Sequence, residues 1–211
     1  MFTWGPQQVA AAGPAQLQFV GAADAATLTP FTIPAHQPND FIVAIALGNA
    51  GVGTFPGVPA GWSTIVQTSG IGFGNATRIY GVRDTAGTIT QISTRPSNTG
   101  SISFLVYRKT SGAGLKAFTP NTLSPVGGQT PTLGTLTAGS WIVAGIEINR
   151  NYPITGPAGL TDRAARPLSS RGLASDSDGS LTAYPGGDTF TWVGGAYYNA
   201  FAIELLLDIG P

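Results

Sequence analysis

Two stretches lying 100 residues apart carry nearly the same segment. Asp40-Phe-Ile-Val-Ala-Ile-Ala-Leu-Gly-Asn49 and Ser140-Trp-Ile-Val-Ala-Gly-Ile-Glu-Ile-Asn149 are identical at Ile42/Ile142, Val43/Val143, Ala44/Ala144 and Asn49/Asn149, with an aromatic pair at Phe41/Trp141. Pro59-Ala-Gly61 returns as Pro157-Ala-Gly159 at an offset of 98, and Ile102, Phe104 and Val106 align with Phe201, Ile203 and Leu205 at an offset of 99. Three ordered matches at nearly constant offset read as two similar halves, about 17–112 and 113–211, after an N-terminal arm of residues 1–16. Thr110-Ser-Gly-Ala-Gly114 has the composition of a flexible connection between them.

Along the whole chain, Gly (30) and Pro (16) fall so often that few long helices fit. Between them lie short runs rich in Val, Ile, Thr, Phe and Tyr, several alternating with period two, as Leu17 and Phe19 do with Gln16 and Gln18. Strands are predicted near 16–20, 27–33, 40–48, 62–68, 75–83, 88–94 and 101–108, then near 130–136, 140–149, 170–174, 180–184, 189–194 and 199–207. Residues 199–208 have helical propensity, but their repeat partner 101–107 alternates cleanly, which makes them a strand with Phe201, Ile203 and Leu205 inward and Glu204 outward. The expectation is an all-β chain of two tandem, pseudo-repeated antiparallel β-sandwich halves, jelly-roll or immunoglobulin-like. The halves either share an interface or form one larger two-sheet body.

Composition excludes several functions. Charged residues are 9%, against about 25% in an average domain, and ten basic residues balance ten acidic ones. Binding through nucleic-acid phosphates needs a basic excess that is not there. Without Cys there is no disulfide framework and no thiolate metal site. A hydrophobic share of 42% and a mean hydropathy of +0.16 argue against disorder, and no apolar run approaches the roughly 20 residues of a membrane helix. No basic n-region precedes an apolar stretch, so no signal peptide is expected. The missing cysteines fit assembly in a cytoplasm.

The order of motifs carries a resemblance. Pro38-Asn-Asp40 leads into the apolar run 41–47, followed by Pro59-Ala-Gly-Trp62, Arg78-Ile-Tyr80 and Leu105-Val-Tyr-Arg108; then come Ala138-Gly-Ser-Trp-Ile-Val-Ala144, Pro157-Ala-Gly-Leu160 and Ala174-Ser-Asp-Ser-Asp178. This pattern resembles duplicated β-sandwich accessory virion proteins of tailed bacteriophages, and also bacterial surface modules. The resemblance implies a structural role and no catalytic residues.

His36, the sole histidine, lies in the turn Pro34-Ala-His-Gln-Pro38 and reads as an exposed turn residue, with no Gly-x-Ser-x-Gly nucleophile to serve. The only glutamates, Glu147 and Glu204, read as outward-facing strand residues, not as an opposed acid pair. Ser175-Asp-Ser-Asp178-Gly179 opens like a calcium loop but lacks a Glu at position twelve, where Gly187 stands, and reads as an aspartate-nucleated turn. No metal, cofactor or catalytic residue is therefore expected. Trp141 and Trp192 read as core. Phe2 and Trp4 on the arm are the candidate assembly anchor, and Trp62, Tyr152, Tyr184, Tyr197 and Tyr198 the candidate glycan or interface aromatics.

The expected function is a non-enzymatic capsid decoration, spike or tail accessory protein. It would attach to other virion proteins by shape and apolar contact, form a homo-oligomer, and reach the virion from the host cytoplasm. The alternative is a carbohydrate-binding or adhesive module that touches host surface glycans. Neither nucleic acid nor membrane is an expected partner.

Overall fold

The computed structural model describes residues 17–25, 30–48, 55–69, 76–109, 115–118, 128, 130–148, 150–167, 171–194 and 198–207. All regular elements among them are strands: β1 (Leu17–Ala25), β2 (Phe31–Thr32), β3 (Asp40–Gly48), β4 (Ser63–Ser69), β5 (Ala76–Asp84), β6 (Gln91–Ile92), β7 (Thr99–Lys109), β8 (Leu115–Phe118), β9 (Gly134–Thr135), β10 (Trp141–Ile148), β11 (Thr161–Pro167), β12 (Arg171–Asp176), β13 (Ala183–Tyr184) and β14 (Tyr198–Leu207). Ten of them make two five-stranded antiparallel sheets, of order β1-β7-β3-β5-β4 and β11-β12-β10-β14-β8. The pairs β2-β6 and β9-β13 form separate two-stranded ribbons. Read from its other edge, the second sheet places β8, β14, β10, β12 and β11 where the first has β1, β7, β3, β5 and β4.

The apolar runs β3 and β10 lie at the centre of their sheets with every residue buried, as strands covered on both faces must be. One face of each sheet meets the other in a common core. Phe41, Val43, Ile45, Leu105 and Tyr107 pack with Trp141, Val143, Phe201, Ile203 and Leu205, so the largest buried cluster draws on both halves of the chain. The other face of the first sheet presents Ile42, Ala44, Tyr80, Ile102, Phe104 and Val106, and is covered by Phe31, Ile33 and Ile92 from the β2-β6 ribbon. On the second sheet, Leu136 and Tyr184 from around the β9-β13 ribbon cover Ile142, Ala144 and Ala202, and Phe190 covers Ile146, Ile148 and Ala200. Burying each such aliphatic or aromatic side chain is worth about 1.5–3 kcal/mol.

Local geometry matches at several corresponding places. After each Pro-Ala-Gly, Trp62 N–H and Leu160 N–H donate back to the carbonyls of Pro59 and Pro157, and Gly61 and Gly159 hold φ of +84° and +96°, values that suit glycine. One extra residue interrupts the pairing of β4 (Ile65) and of β11 (Arg163), β1 carries such a bulge at Val20, and β7 carries one at Gly100 where it pairs with β3.

Three expectations are corrected. The matches at β3/β10 keep their faces, but the alignment at offset 99 does not. Tyr107 stands opposite Phe41, as Leu205 does opposite Trp141, so the structural offset there is 98. Ile102, Phe104 and Val106 face the ribbon, whereas Phe201, Ile203 and Leu205 face the shared core. β11 and β8 are strands where none was expected: Thr161-Asp-Arg-Ala-Ala-Arg-Pro167 has little strand propensity, and pairing with β12 overrides it. Within 189–194 no strand forms among the described residues; Thr189 and Thr191 are bridge residues only, Thr191 pairing with Thr155. The connection 110–114 lies outside the described residues.

Candidate functional site

One polar cluster sits where β3, β5 and β7 meet the loop leaving β2. Asp40 and Asp84 are cross-strand neighbours, both buried. Arg108 Nε and Nη2 donate to the two oxygens of Asp40 at 2.8 and 2.6 Å, a bidentate pair, and Gln37 N–H donates to Oδ2 at 2.7 Å. Asp84 accepts from the backbone N–H of Ala86, Gly87 and Ile89 at 3.1, 2.8 and 2.6 Å, and its Oδ2 lies 2.9 Å from His36 Nε2. Burial alone would raise this carboxyl, but the backbone donors and His36 outweigh it and hold its pKa below the ordinary value. The His36 side chain is only 2% exposed, which corrects its reading as a solvated turn residue. The ring is drawn in because Asp84, 48 positions away in sequence, waits beneath it. Nδ1 lies 2.8 Å from the Pro34 carbonyl. A triad histidine needs one ring nitrogen facing a nucleophile, and here both are occupied.

A second cluster bridges the two sheets. Tyr107 O–H from the first sheet donates to Asp176 Oδ2 in the second at 3.0 Å; Arg163 Nε donates to the same oxygen at 2.9 Å. The Arg163 guanidinium lies over the Phe19 ring at 4.3 Å, and Tyr107 meets Trp141 edge-on at 6.4 Å. Burial keeps the Asp176 carboxyl above its ordinary pKa despite these donors, and burial and Asp176 together push the Tyr107 hydroxyl well above 10. Asp178 N–H donates to Asp176 Oδ1 at 3.0 Å and Asp178 Oδ1 accepts from Arg163 Nη2 at 2.5 Å, so the loop 175–179 is an aspartate turn whose carboxylates serve an arginine. Among the described residues no group of three or more His, Asp or Glu side chains is placed to hold a metal ion.

Both glutamates are buried, correcting the expectation of outward-facing, solvated side chains. Both faces of the second sheet are covered, so β10 is buried throughout and β14 is buried from Asn199 to Leu205. Glu147 stands opposite Asn199, which reaches Thr77 of the first sheet, and so faces the other sheet. Glu204 stands opposite Ile142 on the ribbon side, where its Oε1 accepts from Thr137 N–H at 2.7 Å. On opposite faces of one sheet, the two carboxylates cannot flank a single glycosidic bond.

The candidate aromatics separate into three groups. Trp62 is half-buried and packs edge-on against Tyr80 at 5.4 Å, covering the first sheet. Tyr184 is buried, with its hydroxyl 2.7 Å from Thr130 Oγ1, and is not available to a ligand: the ribbon that carries it lies face-down on the sheet. Tyr152 and Tyr198 come together with Trp192, a pairing that sequence spacing did not disclose; Trp192 and Tyr198 are tilted at 52° with centroids 5.7 Å apart. All three are half-buried, Gly194 passes against the Tyr152 ring, and Val193 beside them is 84% exposed. Phe2, Trp4 and Tyr197 lie outside the described residues.

Compared with protein-family models, curated proteins and solved structures, the chain matches none.

Proposed function

We propose that this chain is a non-enzymatic structural protein of a tailed-phage virion, a head decoration, spike or tail accessory component that attaches by shape and apolar contact. The observation that carries the reading is where the reactive side chains are used. The sole histidine, Asp40, Asp84, Asp176 and Glu204 are all hydrogen-bonded into the body, and each ties together segments distant in sequence. The chemistry-bearing groups hold the fold. A surface covered by Ser, Thr, Asn and Gly, with 9% charge and none net, suits a protein seated among copies of itself. The fold behind this reading is a duplicated half of five sheet strands and one ribbon. The matching strand orders, Pro-Ala-Gly turns and edge bulges support it. The halves 17–112 and 113–211 are joined face to face, and the arm 1–16, with Phe2 and Trp4, supplies the anchor. Each standard interface would bury on the order of 1,600 Å² in total.

The test is deletion of residues 1–15. A truncated protein that folds but no longer enters particles is the expected result; unchanged incorporation refutes the anchor. A second reading, a carbohydrate-binding module, draws on the gathering of Tyr152, Trp192 and Tyr198. It predicts glycan-array binding that Trp192→Ala abolishes.

A further inference from the structure

Both ring nitrogens of His36 face groups that only accept. The Pro34 carbonyl has no proton to give. Asp84 already receives three backbone N–H donors, which is the environment of an ionised carboxylate. A neutral imidazole has one N–H and one lone pair, and whichever tautomer forms, the lone pair would confront an oxygen at 2.8 or 2.9 Å. Only the doubly protonated ring satisfies both contacts.

The position of the ring gives this charge a mechanical consequence. Asp84 closes β5, and the same Oδ2 that meets His36, on the segment leaving β2, also accepts from Ile89 N–H on the segment entering β6. Ile33 N–H donates to Thr90 O at 2.9 Å between those segments. The two strands of the antiparallel β2-β6 ribbon are thus gathered at one end by one carboxylate, and the ribbon, together with Trp62, covers Tyr80, Ile102, Phe104 and Val106. The charged groups around the ring are Asp84 at the end of β5, Asp40 at the start of β3 and Arg108 from β7, which is committed to Asp40 in a bidentate pair. Arg83 lies on the opposite face of β5 by strand alternation. The corresponding cover on the second sheet is fastened without an imidazole, by the Tyr184–Thr130 hydroxyl bond and by Thr137 N–H on Glu204.

We propose that His36 is a buried imidazolium that locks the β2-β6 ribbon over the first sheet, so that this cover loosens as pH rises above the ordinary imidazole range while the β9-β13 cover does not. The direction of the ring's titration agrees. Burial pulls its pKa down, but the bonds to Asp84 and Pro34 and the charges of Asp84 and Asp40 outweigh burial and leave it above 6.5. A raised cationic pKa contributes stability that is complete below the unfolded value, about 6.5, and is lost as pH climbs through the folded one.

Because the chain has one histidine, its ring resonances need no assignment. In ring 15N NMR the native protein should show both nitrogens protonated at pH 6 and a midpoint above 6.5. Amide exchange, corrected for its intrinsic pH dependence, should show protection of Ile33 and Ile89 falling between pH 6 and 9 relative to Leu133 and Leu136 of the other ribbon. The fall should be about tenfold for each unit by which the midpoint exceeds 6.5. His36→Gln should abolish that pH-dependent difference. A single neutral tautomer at pH 6, a midpoint at or below 6.5, or equal loss of protection in both ribbons would overturn the proposal, as would a folded H36Q protein that keeps the difference. The NMR measurement on the native chain decides it even if that variant does not fold.

Discussion

Replacing Arg163 by Met tests whether the two sheets depend on a shared polar contact. Arg163 is 14% exposed at its side chain, and its Nε meets Asp176, whose side chain is fully buried. Without the guanidinium, Asp176 keeps, among the described residues, Tyr107 O–H and Asp178 N–H. Breaking a buried ion pair from one side costs about 3–5 kcal/mol. Partial exposure of Arg163 admits some water, which favours the lower end. The cation over Phe19 adds about 1 kcal/mol, offset by a comparable sulfur–aromatic contact from the Met. The expected loss is about 3 kcal/mol near pH 8. Loss of Arg163 raises an Asp176 pKa that burial already holds up. A carboxyl whose folded pKa is raised is less destabilising once protonated, so the deficit should shrink as pH falls toward 4. Urea unfolding followed by tryptophan fluorescence at pH 5 and pH 8 measures both values. The double variant Arg163→Met/Asp176→Asn should recover most of the loss. A deficit under about 1 kcal/mol, or one unchanged with pH, would show that the pair is solvated and lends no support to the Tyr107–Asp176 contact between the sheets.

Two further substitutions probe the packing. Gly145→Ala should destabilise by about 2 kcal/mol in denaturant unfolding, because its Cβ would lie 2.7 Å from the Leu173 carbonyl oxygen and against the Phe201 ring; an unchanged midpoint would mean that β10 and β12 can separate freely. Tyr184→Phe should cost about 1 kcal/mol by leaving the buried Thr130 hydroxyl without its partner; a neutral result in thermal unfolding would show that Thr130 finds another acceptor.

The central strands were legible because their apolar runs are long and recur at a fixed offset. The face of β7 was not. Ile102, Phe104 and Val106 lie under a ribbon, while Leu105 and Tyr107 lie under the other sheet, so both faces read as apolar and alternation cannot choose between them. A one-residue slip in the alignment then exchanges inside and outside. The polar clusters were hidden for a different reason. His36 meets Asp84 across 48 positions and Tyr107 meets Asp176 across 69, and no local spacing encodes such contacts. The one usable signal was Asp84-Thr-Ala-Gly87, the signature of an aspartate accepting from the turn that follows it. The aspartate turn at 176–178 was read correctly from that same chemistry.

Of the four bulges among the described residues, those at Val20, Ile65 and Arg163 each sit on an outermost strand of their sheet, and that at Gly100 on the inner strand β7. An open strand edge is a template for a neighbouring chain, and many proteins deter such pairing with lysines and glutamates. This chain has few charges to spend, and β4, Ser-Thr-Ile-Val-Gln-Thr-Ser, has none. An inserted residue breaks the regular spacing of edge N–H and C=O groups and twists the strand away from a flat partner. Three of the four sheet edges are therefore shielded by backbone shape, a defence against fibrous stacking that neither salt nor a pH near 6.5, where net charge vanishes, can screen away.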